Sequence, residues 1–181
     1  MKIATVLALG LLVLATPTWA QDWKLDPAKS QVRFVIKQMN VPMEGGFKRF
    51  TVQAAFDPAR PETGRFRVEV DTASIDSGTV EGDDEVKRPA WFDVKKHPKA
   101  TFVSRSMKRE ADGRYSVQGD LSIKGITRPF ATAASLTRQG TGWLAQGRFP
   151  LKRSTYGIGG GDWDDVVADD LEVRFNLVLI P

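Results

Sequence analysis

The chain has 181 residues, 26 Lys and Arg against 22 Asp and Glu, a net charge of +4, one histidine and no cysteine. The absence of cysteine excludes thiol catalysis, disulfide stapling and every cysteine metal site, and a lone histidine has no second histidine with which to build a metal centre. The basic residues are scattered, which gives no footprint for nucleic acid, and the length suits one domain with a real core.

Residues 1–20 read as a cleavable signal peptide. Lys2 supplies the positive start, an apolar run covers residues 3–15, and Thr18-Trp19-Ala20 forms a small-x-small cleavage site. The run is shorter than the roughly 20 residues a spanning helix requires. No cysteine follows it, which excludes anchoring by the bacterial lipoprotein route. Export to the periplasm is expected, with the mature domain over residues 21–181. Export argues against a nucleic-acid partner; transient contact with a membrane or membrane protein stays open.

Alternation dominates the mature domain. Val32, Phe34 and Ile36 share one face; so do Phe50, Val52, Ala54 and Phe56, and then Phe66, Val68, Val70 and Thr72. Each stripe is the signature of a half-buried antiparallel strand. The stretch 57–64, opening on Asp57-Pro58 and closing on Thr63-Gly64, is expected to separate two of these strands. Residues 79–88, TVEGDDEVKR, read as a short charged helix or a turn.

Residues 90–106, AWFDVKKHPKATFVSRS, carry two adjacent bulky aromatics, Trp91 and Phe92. Neighbouring side chains do not share a strand face, so this pair is expected to plug the end of a core rather than line its side. Asp93 is expected to cap the turn over residues 94–97 through its side chain, and Pro98 ends that turn. From Ala100 the period is two, with Ala100, Phe102, Ser104 and Ser106 opposite Thr101, Val103, Arg105 and Met107. Further stripes are Tyr115, Val117, Gly119 and Leu121; Trp143 to Leu151 at every second residue; and Leu171, Val173, Phe175, Leu177 and Leu179. Turns fall at 111–113, 124–125 and 139–142. About eight strands with one apolar face each close into a barrel or pack as a sandwich, and the pattern alone leaves both open.

Three segments carry a family resemblance. WFDVKKHPKATFVS, GDLSIKGITRPF (residues 119–130) and YGIGGGDWDD (residues 156–165) resemble, in order, the motifs of the YceI-like family of secreted bacterial proteins. His97 stands where an aromatic usually precedes the proline, Glu85-Val86-Lys87 replaces a frequent His–Leu–Arg, and Ser122 replaces a threonine. The resemblance implies an all-β fold, an eight-stranded antiparallel lipocalin-like barrel with a short helix and an aromatic plug. It also implies an isoprenoid lipid as ligand, a polyprenyl quinone or its precursor, and no cofactor beyond such a bound lipid. Strands of about ten residues at roughly 3.4 Å each, tilted near 40°, make a tube on the order of 25 Å deep, which suits a long thin molecule.

Catalytic signals are sparse. His97 reads as a turn residue or a polar group at a pocket mouth, and no G-x-S-x-G elbow is present. Asp83, Asp84 and Glu85 read as a solvated helix end. GIGGGDWDD lacks the βαβ unit of a dinucleotide site and is one imperfect copy of a calcium repeat, although Asp162, Asp164, Asp165, Asp169 and Asp170 have the chemistry for a hard cation. Its plainer reading is a flexible rim loop with Trp163 as a lid. Small residues on the strands (Ala54, Ala100, Gly119, Ala131, Ala133, Ala145, Gly147) alternate with large ones and leave room for a lumen. Phe34, Phe50, Val68, Phe102, Val117 and Phe175 are the candidate lumen wall, Trp91 and Phe92 the plug, and Asp93, His97 and Trp163 the polar mouth. Two rivals to a non-catalytic lipid binder are a partner-binding module of a membrane redox or stress system with a filled barrel, and a hydrolase or isomerase using Asp162 or Asp165.

Overall fold

The computed structural model describes residues 21–181; the proposed signal peptide lies outside them. Its strands are β1 (Gln21–Leu25), β2 (Gln31–Gln38), β3 (Val41–Phe47), β4 (Phe50–Asp57), β5 (Arg60–Asp71), β6 (Ile75–Asp76), β7 (Lys99–Arg109), β8 (Tyr115–Ile123), β9 (Ile126–Gln139), β10 (Gly142–Lys152) and β11 (Val167–Ile180), with one helix, α1 (Val80–Val86), between β6 and β7.

Register shows that these segments form eight strands. β1 pairs with β4 and β2 with β3, while both β1 and β2 pair with β11. β4 pairs with β5 as β3 pairs with β6. Three long strands are therefore each interrupted once, at residues 26–30, 48–49 and 72–74. Counted whole, eight antiparallel strands follow one another round a closed barrel, sealed where β11 meets β1 at Leu25↔Leu179. Hydroxyls replace the ladder bonds lost at the breaks. Ser30 Oγ donates to the Asp26 carbonyl at 2.7 Å and accepts from the Val178 amide at 2.9 Å. Ser74 Oγ donates to the Asp71 carbonyl at 2.7 Å and accepts from the Arg49 amide at 3.0 Å.

Several local expectations need correction. The break expected over 57–64 is only a tight turn, because Asp57 Oδ1 accepts from the Ala59 amide at 2.9 Å and β5 is already running at Arg60. In β7 the register shifts between Ser104 and Ser106, so Arg105 is an extra residue. Such a bulge swaps the faces beyond it, and Met107 turns inward, 8% exposed, instead of outward. Ala131 and Ala133 face solvent; on β9 it is Phe130, Thr132 and Ala134 that face the interior.

One end of the barrel, near the hairpins at 57–60, 109–115 and 139–142, is filled. Trp23 stacks on Phe56 with centroids 5.2 Å apart, Trp143 meets Phe56 edge-on at 5.9 Å, and Phe66 stacks on Phe56 at 5.7 Å. Phe56 is 0% and Leu179 1% exposed beside them. This floor seals the barrel with ring-on-ring packing.

Candidate functional site: an apolar lumen and its plug

Above the floor the barrel is hollow. The lumen has a volume of about 670 Å³, within the roughly 300–1,000 Å³ of small-molecule sites. Phenylalanines from neighbouring strands form a belt around it: Phe102 to Phe130 at 6.0 Å, Phe130 to Phe149 at 4.7 Å and Phe149 to Phe175 at 6.4 Å, with Phe34 and Phe47 at 6.0 Å across the barrel's other strands. The hollow survives because rings lie over glycines. A Cβ on Gly45 would collide with the Phe34 ring, one on Gly147 with Phe175 and one on Gly119 with Phe102. The missing side chain lets each ring settle against the wall instead of standing into the lumen.

The opposite end carries the plug. Thr79 caps α1, its hydroxyl accepting from the Gly82 amide at 3.0 Å. Asp83 ties α1 to β6 by accepting from the Ser77 amide at 2.6 Å and the Ser77 hydroxyl at 2.8 Å, and these bonds hold its carboxyl below the usual range. Phe92 meets Phe47 edge-on at 6.0 Å, and Trp91 meets Trp163 at 5.5 Å. Val86, Trp91, Phe92 and Trp163 all line the lumen.

Arg153 locks this end. It is 2% exposed and lines the lumen, with its guanidinium carbon 6.0 Å from the Trp91 ring centroid. Its N–H groups donate to the carbonyls of Ile158 at 2.9 Å, Val167 at 2.7 Å, Ala168 at 3.2 Å, Trp163 at 3.3 Å and Gly159, and to Asp164 Oδ1 at 3.1 Å. One side chain thus satisfies carbonyls of the glycine-rich loop and of the start of β11. Asp169 anchors the start of the same loop, accepting from the Ser154 amide and hydroxyl, both at 2.8 Å; the amide bond chiefly holds its carboxyl below the usual range. Lys124 braces the plug from outside by donating to the carbonyls of Ala90 at 3.2 Å and of Gly157, and burial pulls its ammonium below the usual lysine range.

Of the expected site residues, Phe34, Val68, Trp91, Phe92, Phe102, Val117, Trp163 and Phe175 line the lumen. Phe50 does not. It shares the inward face of β4, but it sits at a strand break, beside an outer groove bordered by the Lys48–Asp76 and Arg49–Asp71 ion pairs at 2.9 and 2.8 Å. Asp93 and His97 also lie off the lumen. Asp93 is buried, and its carbonyl, not its side chain, closes the turn by accepting from the Lys96 and His97 amides at 2.9 and 2.8 Å; its carboxylate pairs with Lys96. His97 packs against the turn at Gly125, and its carbonyl accepts from the Thr72 hydroxyl at 2.8 Å. The glycine-rich loop is held by Arg153 and Asp169 rather than standing free. Among the described residues no group of three or more His, Cys, Asp or Glu is placed to hold a metal, and no helix is long and apolar enough to cross a membrane. The lumen is hollow, unlike the filled barrel expected for the partner-binding rival.

Sequence reasoning missed Arg153. Its signal was parity: Phe149 and Leu151 fall on the inward face of β10 and Arg153, the residue just past its end, continues the series; an arginine there marks a buried charge with partners.

A closed meander barrel, solid at one end and hollow and plugged at the other, is a lipocalin-like fold. The YceI-like domain profile matches residues 23–179, and the chain belongs to the YceI-like family. An Azotobacter vinelandii relative, a UPF0312 protein, is 32% identical over 167 residues, 87% of each chain. The crystal structure of Burkholderia cenocepacia BcnA is 40% identical with a TM-score of 0.81, covering 85% of this chain and 98% of that one. A polyisoprenoid binding domain from Saccharophagus degradans, implicated in plant cell wall breakdown, is 16% identical with a TM-score of 0.70, covering 90% of this chain and 99% of that one, and is similar in fold.

Proposed function

We propose that the protein holds a long-chain isoprenoid lipid, of the polyprenyl quinone class or a precursor, in the barrel, and carries or stores it in the periplasm without chemistry. The observation that carries this reading is the ring-belted lumen of about 670 Å³, sealed at the floor. The Saccharophagus degradans domain, which shares the fold, is a polyisoprenoid binder by description, and that supports the ligand class. Each buried CH₂ contributes about 0.8 kcal/mol. A dozen carbons supply several kcal/mol after ordering costs, by the same rough arithmetic.

Mass spectrometry of an organic extract of the purified protein tests the reading. The expected result is a recurring long-chain isoprenoid in near-stoichiometric amount. A clean extract from protein purified without detergent, with no uptake of added polyprenol, would sink it.

A further inference from the structure

The lumen reaches solvent where its lining residues are themselves exposed, at Gln38, Thr79 and Glu81. The three most exposed large apolar side chains among the described residues stand at this opening: Met39 at 75%, Val80 at 73% and Val41 at 57%, against 39% or less for Ile180 and Val103. Met39 follows Gln38, Val80 lies between Thr79 and Glu81, and Val41 is the cross-strand partner of Gln38. Two separate segments, a hairpin tip and the first turn of α1, place apolar groups in water beside one mouth.

The hairpin tip adds a backbone argument. Met39 and Asn40 have φ of 49° and 65°, the turn geometry that favours asparagine or glycine. Asparagine suits it; methionine is strained there and still points outward. Nothing in the fold of this chain gains from that choice.

We infer that the mouth docks on a zwitterionic phospholipid surface, with Met39, Val41 and Val80 entering the interfacial layer so that the lumen opens toward the bilayer. Three side chains offer far less than the roughly 800 Å² per partner that a stable protein interface takes, whereas a lipid surface moulds to small apolar protrusions. Charge fits as well. Lys37 and Glu81 take part in no ion pair among the described residues, and Asp83 on the same helical turn is occupied by Ser77, so the mouth presents both signs, as such a head group does.

The inference rests on the lipid-binding reading for its purpose, and its test is separate. Full-length mature protein is floated with phosphatidylcholine vesicles beside the variant Met39→Asn, Val41→Thr, Val80→Ser. Asparagine suits the turn and threonine keeps the strand preference, so thermal unfolding serves as the fold control. The wild type is expected to float, and the variant's floating fraction to fall about tenfold while its unfolding temperature and extracted lipid stay unchanged. A wild type that stays in the bottom fraction, or a folded variant that floats equally well, overturns the docking. A lipid-loaded protein that ignores vesicles sinks the docking alone; a clean extract with tip-dependent flotation sinks the cargo alone.

Discussion

The two ends of the barrel are built by opposite chemistry. At the floor, Trp23, Phe56, Phe66 and Trp143 exclude water by packing ring on ring. At the plug, aromatics are present too, but Trp91 and Trp163 stay in place because Arg153, Lys124, Asp83 and Asp169 tie the surrounding backbone. Nondirectional packing makes a permanent seal. Hydrogen bonds of fixed geometry instead hold the backbone beside the mouth in one shape.

The largest expected effect breaks the floor. Phe56→Ala removes a fully buried ring that contacts three others, and should cost about 3–5 kcal/mol, read as a lowered midpoint in urea. Arg153→Met comes next. It strands the carbonyls of the glycine-rich loop in the interior and should cost about 3 kcal/mol. Its distinctive reading is local: amide exchange across residues 157–167 should accelerate more than exchange at the floor. Equal acceleration at both ends would show that the two closures are not independent.

Gly147→Ala tests the belt between them. The new Cβ meets the Phe175 ring, and overpacking of this kind costs about 1–3 kcal/mol. The displaced ring should also narrow the lumen, so uptake of an added polyprenol should fall more than stability does. The smallest effect is acid loosening of the plug. The depressed carboxyls of Asp83 and Asp169 contribute stability that is present above their ordinary pKa of about 4 and lost as pH falls through their folded values. Exchange at the plug amides should therefore rise below about pH 4 before the floor responds, and Asp83→Asn should flatten that rise for α1.

Much of the wall was legible because alternation is a direct image of a strand with one wet face. The inward sets of β2, β5, β8, β10 and β11 follow from it residue by residue. Where a strand is short or broken the image fails. β1 has five residues, and β3 hides behind Pro42 and two glycines, tolerated because β6 covers only Gly46 and Phe47. The bulge at Arg105 left no mark in the pattern. At the plug, the bulk of Trp91, Phe92 and Trp163 was informative, but the aim of Asp93 and His97 was not. Turn side chains take their direction from what the turn packs against, and for His97 that is Gly125, on a hairpin far along the chain.

The recessed rings have a consequence for selectivity. With Phe34, Phe102 and Phe175 each sunk over a glycine, the bore presents smooth aromatic faces and few fixed notches. On the lipid-binding proposal, such a channel should accept tails of different length and refuse any that are too bulky to thread.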